Sequence, residues 1–122
     1  MAEEIEWWDF DAAEDLIDAV VGDVLDLVED RFAEHFGELH PFKLATDREQ
    51  ALEVLDHFIT HTLARFGDYQ DAMVAGEPWL WHAVISPYLN IGLLQPMEVC
   101  RRAEEAWRAG VAPLNAVEGF IR

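Results

Sequence analysis

The chain has 122 residues, 52% of them hydrophobic and 27% charged, and its 25 acidic against 8 basic side chains give a net charge of −17. That length supports one core, since a domain of this size buries roughly two thirds of the surface its unfolded chain exposes. The charge argues against nucleic-acid binding by this chain alone, the single cysteine excludes an internal disulfide or a self-contained thiolate metal site, and no apolar run reaches the roughly 18 residues of a membrane span. The acidic start MAEEIEWWDF is unlike a basic signal or transit segment, so a cytoplasmic setting without membrane contact is expected. The acid excess fits a salt-rich cytoplasm or an acidic surface for a basic partner. Its spread along the helical faces of residues 11 to 60, with no acidic tail, favours the first.

In chain order, Leu16, Ile17, Val20, Val24, Leu27 and Val28 recur at helical spacing and predict an amphipathic helix from Asp11 to His35, which Gly22 could split. Gly37 and Pro41 then mark a loop. Thr46 and Glu49 have capping-box spacing and predict a helix with Leu52, Leu55, Phe58, Ile59 and Leu63 inward, ended by Gly67. Residues 68 to 81 are expected to hold a short helix and a turn at Gly76 and Pro78. Ser86 can cap a helix with Pro87 at its first position, running to about Gly92. Pro96 and Glu98 open another through Trp107 to Gly110, and Pro113 starts a last one whose pattern is still running at Arg122. There is no strand signal, so the fold class is all-α.

Few clusters of chemistry-bearing residues stand out. His57 and His61, with Glu53 and Asp56 nearby, could place two imidazoles and a carboxylate on one turn, but no second such pair completes a cluster and no metal site is assigned. Cys100 is read as an ordinary helix residue. Trp7, Trp8, Trp79, Trp81 and Trp107 are read as core in preference to stacking platforms. The almost uncharged run HAVISPYLNIGLLQP, residues 82 to 96, begins a helix in an apolar setting, and free amides with a positive dipole end suit a phosphate there.

Three ordered motifs then carry a resemblance: FGDYQDAM at 66–73, HAVISPYLNIGLLQPMEV at 82–99 and PLNAVEGFIR at 113–122. They resemble the cryptochrome/photolyase family, and within it the bacterial and archaeal branch of photolyase-related proteins that carries an iron–sulfur cluster and includes (6-4) photolyases. LVEDRFAEHFGEL at 27–39 and TDREQALEVLDHFI at 46–59 are similar to the segment leading into that branch's helical flavin domain. The resemblance divides the chain into an acidic linker and N-terminal helix, 1–22, and a partial FAD-binding helical domain, 23–122.

The family role that the resemblance implies is light-driven repair of DNA photoproducts, or blue-light sensing, by electron transfer from reduced FAD to a flipped-out lesion. Carried over by motif, the FAD phosphates and ribityl chain would be held by Tyr69, His82, Ala83, Val84, Ile85 and Ser86, with Asn115, Glu118 and Arg122 near the isoalloxazine. Two positions depart from the family pattern. Ala83 stands where a serine is usual, and Val84 where many photolyases have arginine. The ligands of the family's iron–sulfur cluster, its antenna domain and its basic DNA groove have no counterpart in these residues. The resemblance therefore implies half a flavin pocket, no catalytic residue and no repair activity alone, with DNA contacted only within a complete family protein. Partners are expected to be the remaining photolyase domains or a second chain, including a homodimer. The alternative from another class is an acidic all-α protein-interaction module without catalysis.

Overall fold

The structure is a computed structural model that describes residues 19–77 and 79–122. Among the described residues six α-helices follow in order: α1 Ala19–Phe32, α2 Arg48–His57, α3 Leu63–Tyr69, α4 Ser86–Asn90, α5 Pro96–Arg108 and α6 Leu114–Ile121. The all-α class expected from the sequence is what is found; an isolated bridge between Val74 and Glu77 is the only strand-like pairing among the described residues. The expected start of the first helix, together with Trp7 and Trp8, lies outside the described residues. Gly22 does not split α1.

The cap of α2 differs from the capping box expected at Thr46. Asp47 is the N-cap, with its Oδ1 accepting the Gln50 amide at 2.8 Å, and the Thr46 amide donates to Gln50 Oε1 at 2.9 Å. The N-cap moves by one residue because the short aspartate side chain reaches the third helical amide as well as threonine does, and the returning Gln50 side chain takes the amide one residue before the cap instead of the cap's own.

A π-helical turn, Phe58–Thr62, joins α2 to α3, with the Leu63 amide bonding to the Phe58 carbonyl. The extra residue rotates the apolar stripe. Ala51, Val54 and Leu55 enter one core cluster with Ile85, Tyr88, Leu94 and Val99. Phe58 and Leu63 enter a second with Ala103, Ala106, Ala112 and Val117. Phe58, Phe66 and Phe120 close that second cluster, with ring centroids 4.8 to 5.9 Å apart.

Gly67 does not end the helix, which continues to Tyr69; it lies where α3 meets α6, the most extensive helix pair in the fold. Residues 70–77 and 79–81 hold turns and bends in place of the expected short helix, and the Pro78 part of the expected turn lies outside the described residues. Two of the tryptophans also depart from the core reading: Trp79 and Trp107 are 45% and 43% exposed, and Trp81 is half-buried under the Arg65 guanidinium at 5.2 Å.

One polar cross-link joins segments about 50 residues apart in the chain. Arg48 donates to Glu98 Oε1 and to the Leu93 carbonyl, each at 2.8 Å, so the start of α2 clamps the start of α5. Desolvation is the largest single influence on the Glu98 carboxyl and pushes its pKa up. The Arg48 hydrogen bond, the Gln95 amide and the charges of Arg48 and Arg102 together outweigh it and leave the pKa below the usual 4.5. A carboxylate with a lowered folded-state pKa stabilises the fold above its unfolded pKa, and this contribution fades as the pH falls through the folded value. Glu98→Gln is therefore expected to destabilise the protein at pH 7 but to converge on the wild type below pH 4.5. Urea titrations of both proteins between about pH 7 and 3 check this, and parallel curves would contradict it.

Candidate functional site

The segment leading into α4 is pinned by two apolar side chains, Leu80 and Ile85, which are 7% and 4% exposed. Between these anchors the His82 amide closes a turn onto the Trp79 carbonyl at 3.1 Å. Leu80 and Val84 both take left-handed backbone conformations, φ 42° and 51°. A β-branched residue rarely does so, at a cost on the order of 1–3 kcal/mol, and the burial of Ile85 and Tyr88 on its far side holds it there.

The consequence is a set of amides aimed away from the chain's own described acceptors. Among the described residues the amides of Ala83, Val84, Ile85 and Ser86 donate to no other group, while the Ile85 carbonyl is taken by the amides of Tyr88 and Leu89. Val84 at φ 51° is followed by Ile85 at φ −104°, ψ −4°. A left-handed residue next to a right-handed one turns successive N–H groups toward one side and makes a concavity suited to an anion. Ile85, not Ser86, is the N-cap of α4, and no side chain caps the helix; the expected Ser86 cap is absent because serine lies one residue inside.

Behind the turn is a cavity of about 480 Å³. His82, Ala83, Val84, Ile85 and Ser86 line one side of it, and Phe66, Leu89, Val99, Cys100 and Phe120 are among the residues of its other walls. The volume lies in the range of ligand pockets, about 300–1,000 Å³. No lysine or arginine lines it.

Five of the nine residues singled out in the sequence are thus brought together, and four are not. Tyr69 is exposed on the last turn of α3, its ring 6.2 Å from that of Trp81. Asn115 donates to Asp68 Oδ1 at 3.2 Å and ties α6 to α3. Glu118 and Arg122 line a second cavity of about 550 Å³ between α5 and α6, which shares Cys100 and Ile121 with the first. Phe66, Leu89, Phe120 and Cys100 were missed as cavity residues. Phe66, Leu89 and Phe120 lie inside the quoted motifs, yet only their convergence in space distinguishes them from ordinary core. His57 and His61 stack with centroids 4.6 Å apart, and no third ligating side chain joins them among the described residues.

The chain is 47% identical over 105 residues, 86% of its length, to a (6-4) photolyase of Agrobacterium fabrum. This likeness is consistent with a fragment of the photolyase family. It spans 21% of that relative. A second relative, an uncharacterized protein of Acanthamoeba polyphaga mimivirus, is 40% identical over 55 residues, 44% of this chain and 43% of the viral protein. No protein-family model matches the sequence. Among the described residues no helix is long and apolar enough to cross a membrane.

Proposed function

We propose that the turn at residues 82–86 and the cavity behind it receive part of a flavin dinucleotide, as one section of a photolyase-type pocket. The carrying observation is the run of four amides around the left-handed Val84 that pair with no group among the described residues, opening on a partly apolar cavity. The residues present fit such a group in part. The amides of Ala83 to Ser86 and the Ser86 hydroxyl supply donors for a phosphate or a ribityl hydroxyl, and Phe66, Leu89 and Phe120 supply apolar wall. The cavity carries no fixed cation for a diphosphate, and one turn with one wall leaves much of a dinucleotide in water. When bound and reduced, FAD would supply the electron that a photolyase delivers to its lesion. The chain's own residues would bind and orient it.

Light-driven repair of DNA photoproducts is proposed only for a complete family protein. For this chain by itself the reading is weak flavin binding without repair, in keeping with its coverage of 21% of the photolyase relative. Titrating FAD with the protein and following flavin fluorescence tests it. Saturable binding with a Kd of about 10 μM to 1 mM is expected. Ala83→Asp places a carboxylate among the phosphate-binding amides and is expected to weaken FAD at least about tenfold while changing riboflavin, which lacks the phosphates, much less. Equal effects on the two ligands, or no FAD binding, would remove the proposal. A non-catalytic interaction module is the second reading, favoured by the apolar surface at α1 and along α5 and α6.

A further inference from the structure

Two helices contribute rings to the cavity behind the turn, and they meet at a residue without a side chain. Phe66 of α3 and Phe120 of α6 both line that cavity, with ring centroids 5.5 Å apart. Phe66 is the residue before Gly67, and Phe120 stands four residues after Ala116, on the same face of α6. Gly67 and Ala116 are where the two backbones touch: a Cβ at Gly67 would lie 2.7 Å from Ala116 Cα. The separation of the two rings is therefore fixed by the crossing beside them.

Gly67 is not required by its own backbone. It lies inside α3 and is not among the glycines with positive φ, so alanine would suit the helix better. What the missing side chain secures is close approach to α6. That approach reaches the turn as well, because Ala83 and Phe120 each pack against both core clusters, the one holding Ile85 and Tyr88 and the one holding Phe58 and Val117. Relaxing a 2.7 Å contact to the ordinary ~3.5–4 Å moves α6 away by about 1 Å, and a gap of that size forfeits roughly a quarter to a half of the attraction between facing atoms.

We propose that Gly67 is a positioning residue for the flavin cavity. Its lack of a side chain holds α6 against α3; this crossing sets the spacing of Phe66 and Phe120 and, through Phe120, the seat of the turn at Ala83. For its ligand the inference rests on the flavin reading above, and for its geometry it does not.

Cys100 supplies a readout that needs no ligand. It is the single cysteine of the chain, is half-buried and lines the same cavity, so its alkylation by a maleimide reports how readily the walls part. In the full chain, Gly67→Ala is expected to raise that rate at least about threefold and to weaken FAD at least about fivefold, at a temperature where circular dichroism shows the variant folded. Ala116→Ser puts a smaller wedge into the same crossing; it is expected to move both readouts in the same direction and carries the test if Gly67→Ala does not fold. Leu25→Ala is the control for lost stability alone, since Leu25 is buried in α1 but belongs to neither core cluster and does not line the cavity. It is expected to leave both readouts at wild-type values.

Folded crossing variants that match the wild type in alkylation overturn the proposal, as does a Leu25→Ala protein that shifts the readouts as much as they do. Faster alkylation with unchanged FAD affinity overturns it too. A wild type that binds no FAD removes the flavin reading instead, and the alkylation rates still decide whether the crossing sets the cavity.

Discussion

Tyr88→Ala is expected to lower the stability of the chain by about 3–5 kcal/mol, a large share of the roughly 5–15 kcal/mol that holds a small domain folded. Tyr88 is the largest fully buried side chain, 1% exposed, and it packs with Leu55, Leu94 and Val99. Its hydroxyl accepts the Ala45 amide at 3.2 Å, fastening the loop before α2 to the core. Truncation therefore removes a ring from a close-packed site and orphans a buried amide. Tyr88→Phe separates the two effects: it keeps the ring and loses the acceptor, for about 1–2 kcal/mol. Urea midpoints of the three proteins give both numbers. The alanine variant is also expected to bind FAD less well than the phenylalanine variant, because burial of Tyr88 fixes the end of the turn that holds Val84 left-handed. Equal flavin binding by the two would disconnect the core from the turn.

Gly67→Ala is the second large effect, expected at about 2–3 kcal/mol of destabilisation and a Tm lower by roughly 10 °C. A Cβ built at Gly67 would lie 2.7 Å from Ala116 Cα and 2.8 Å from Ala116 N, both backbone atoms that no rotamer change can move aside. α3 and α6 would have to separate at their closest approach, loosening Phe58, Phe66 and Phe120 together. The control is Gly22→Ala in α1, where nothing lies within 4 Å of the added methyl. There the same substitution is expected to add helix stability of about 0.5–1 kcal/mol, since glycine costs conformational entropy that alanine does not. Opposite signs in thermal melts of the two variants would confirm that packing, not propensity, decides at Gly67. A neutral Gly67→Ala would show that the two helices are free to move apart.

Much of the candidate site was legible because it lies in one short stretch. Five residues from His82 to Ser86 were carried over by resemblance within one motif, around a helix start at Ser86 and Pro87 that the residues themselves announce, and the structure finds them lining one cavity. Tyr69, Asn115, Glu118 and Arg122 came from the same resemblance but from other motifs, far along the chain. Their positions depend on where α3 and α6 sit, and the structure spreads them over a surface stack, an inter-helix hydrogen bond and a second cavity. The donors themselves were legible only in part. A helix start at Ser86 and Pro87 was readable, but the left-handed Val84 that aims the amides was not, because valine by its own preference avoids that conformation.

The sequence by itself determined the all-α class, the helix starting at Pro96 and the break around Gly37 and Pro41. Each of these rests on periodicity or on a residue acting within a turn of its own position. Tertiary structure decided what depends on residues far apart in the chain. Gly67 is a crossing point because Ala116 approaches it, and the π-helical turn appears where Phe58 and Leu63 must both face one core. Trp79 and Trp107 stay 45% and 43% exposed, while Phe58, Leu63, Ala103, Ala106, Ala112 and Val117 make up the second core cluster. Local chemistry selects the elements; burial and close approach, summed over distant partners, select which of their faces are core and which are left to bind.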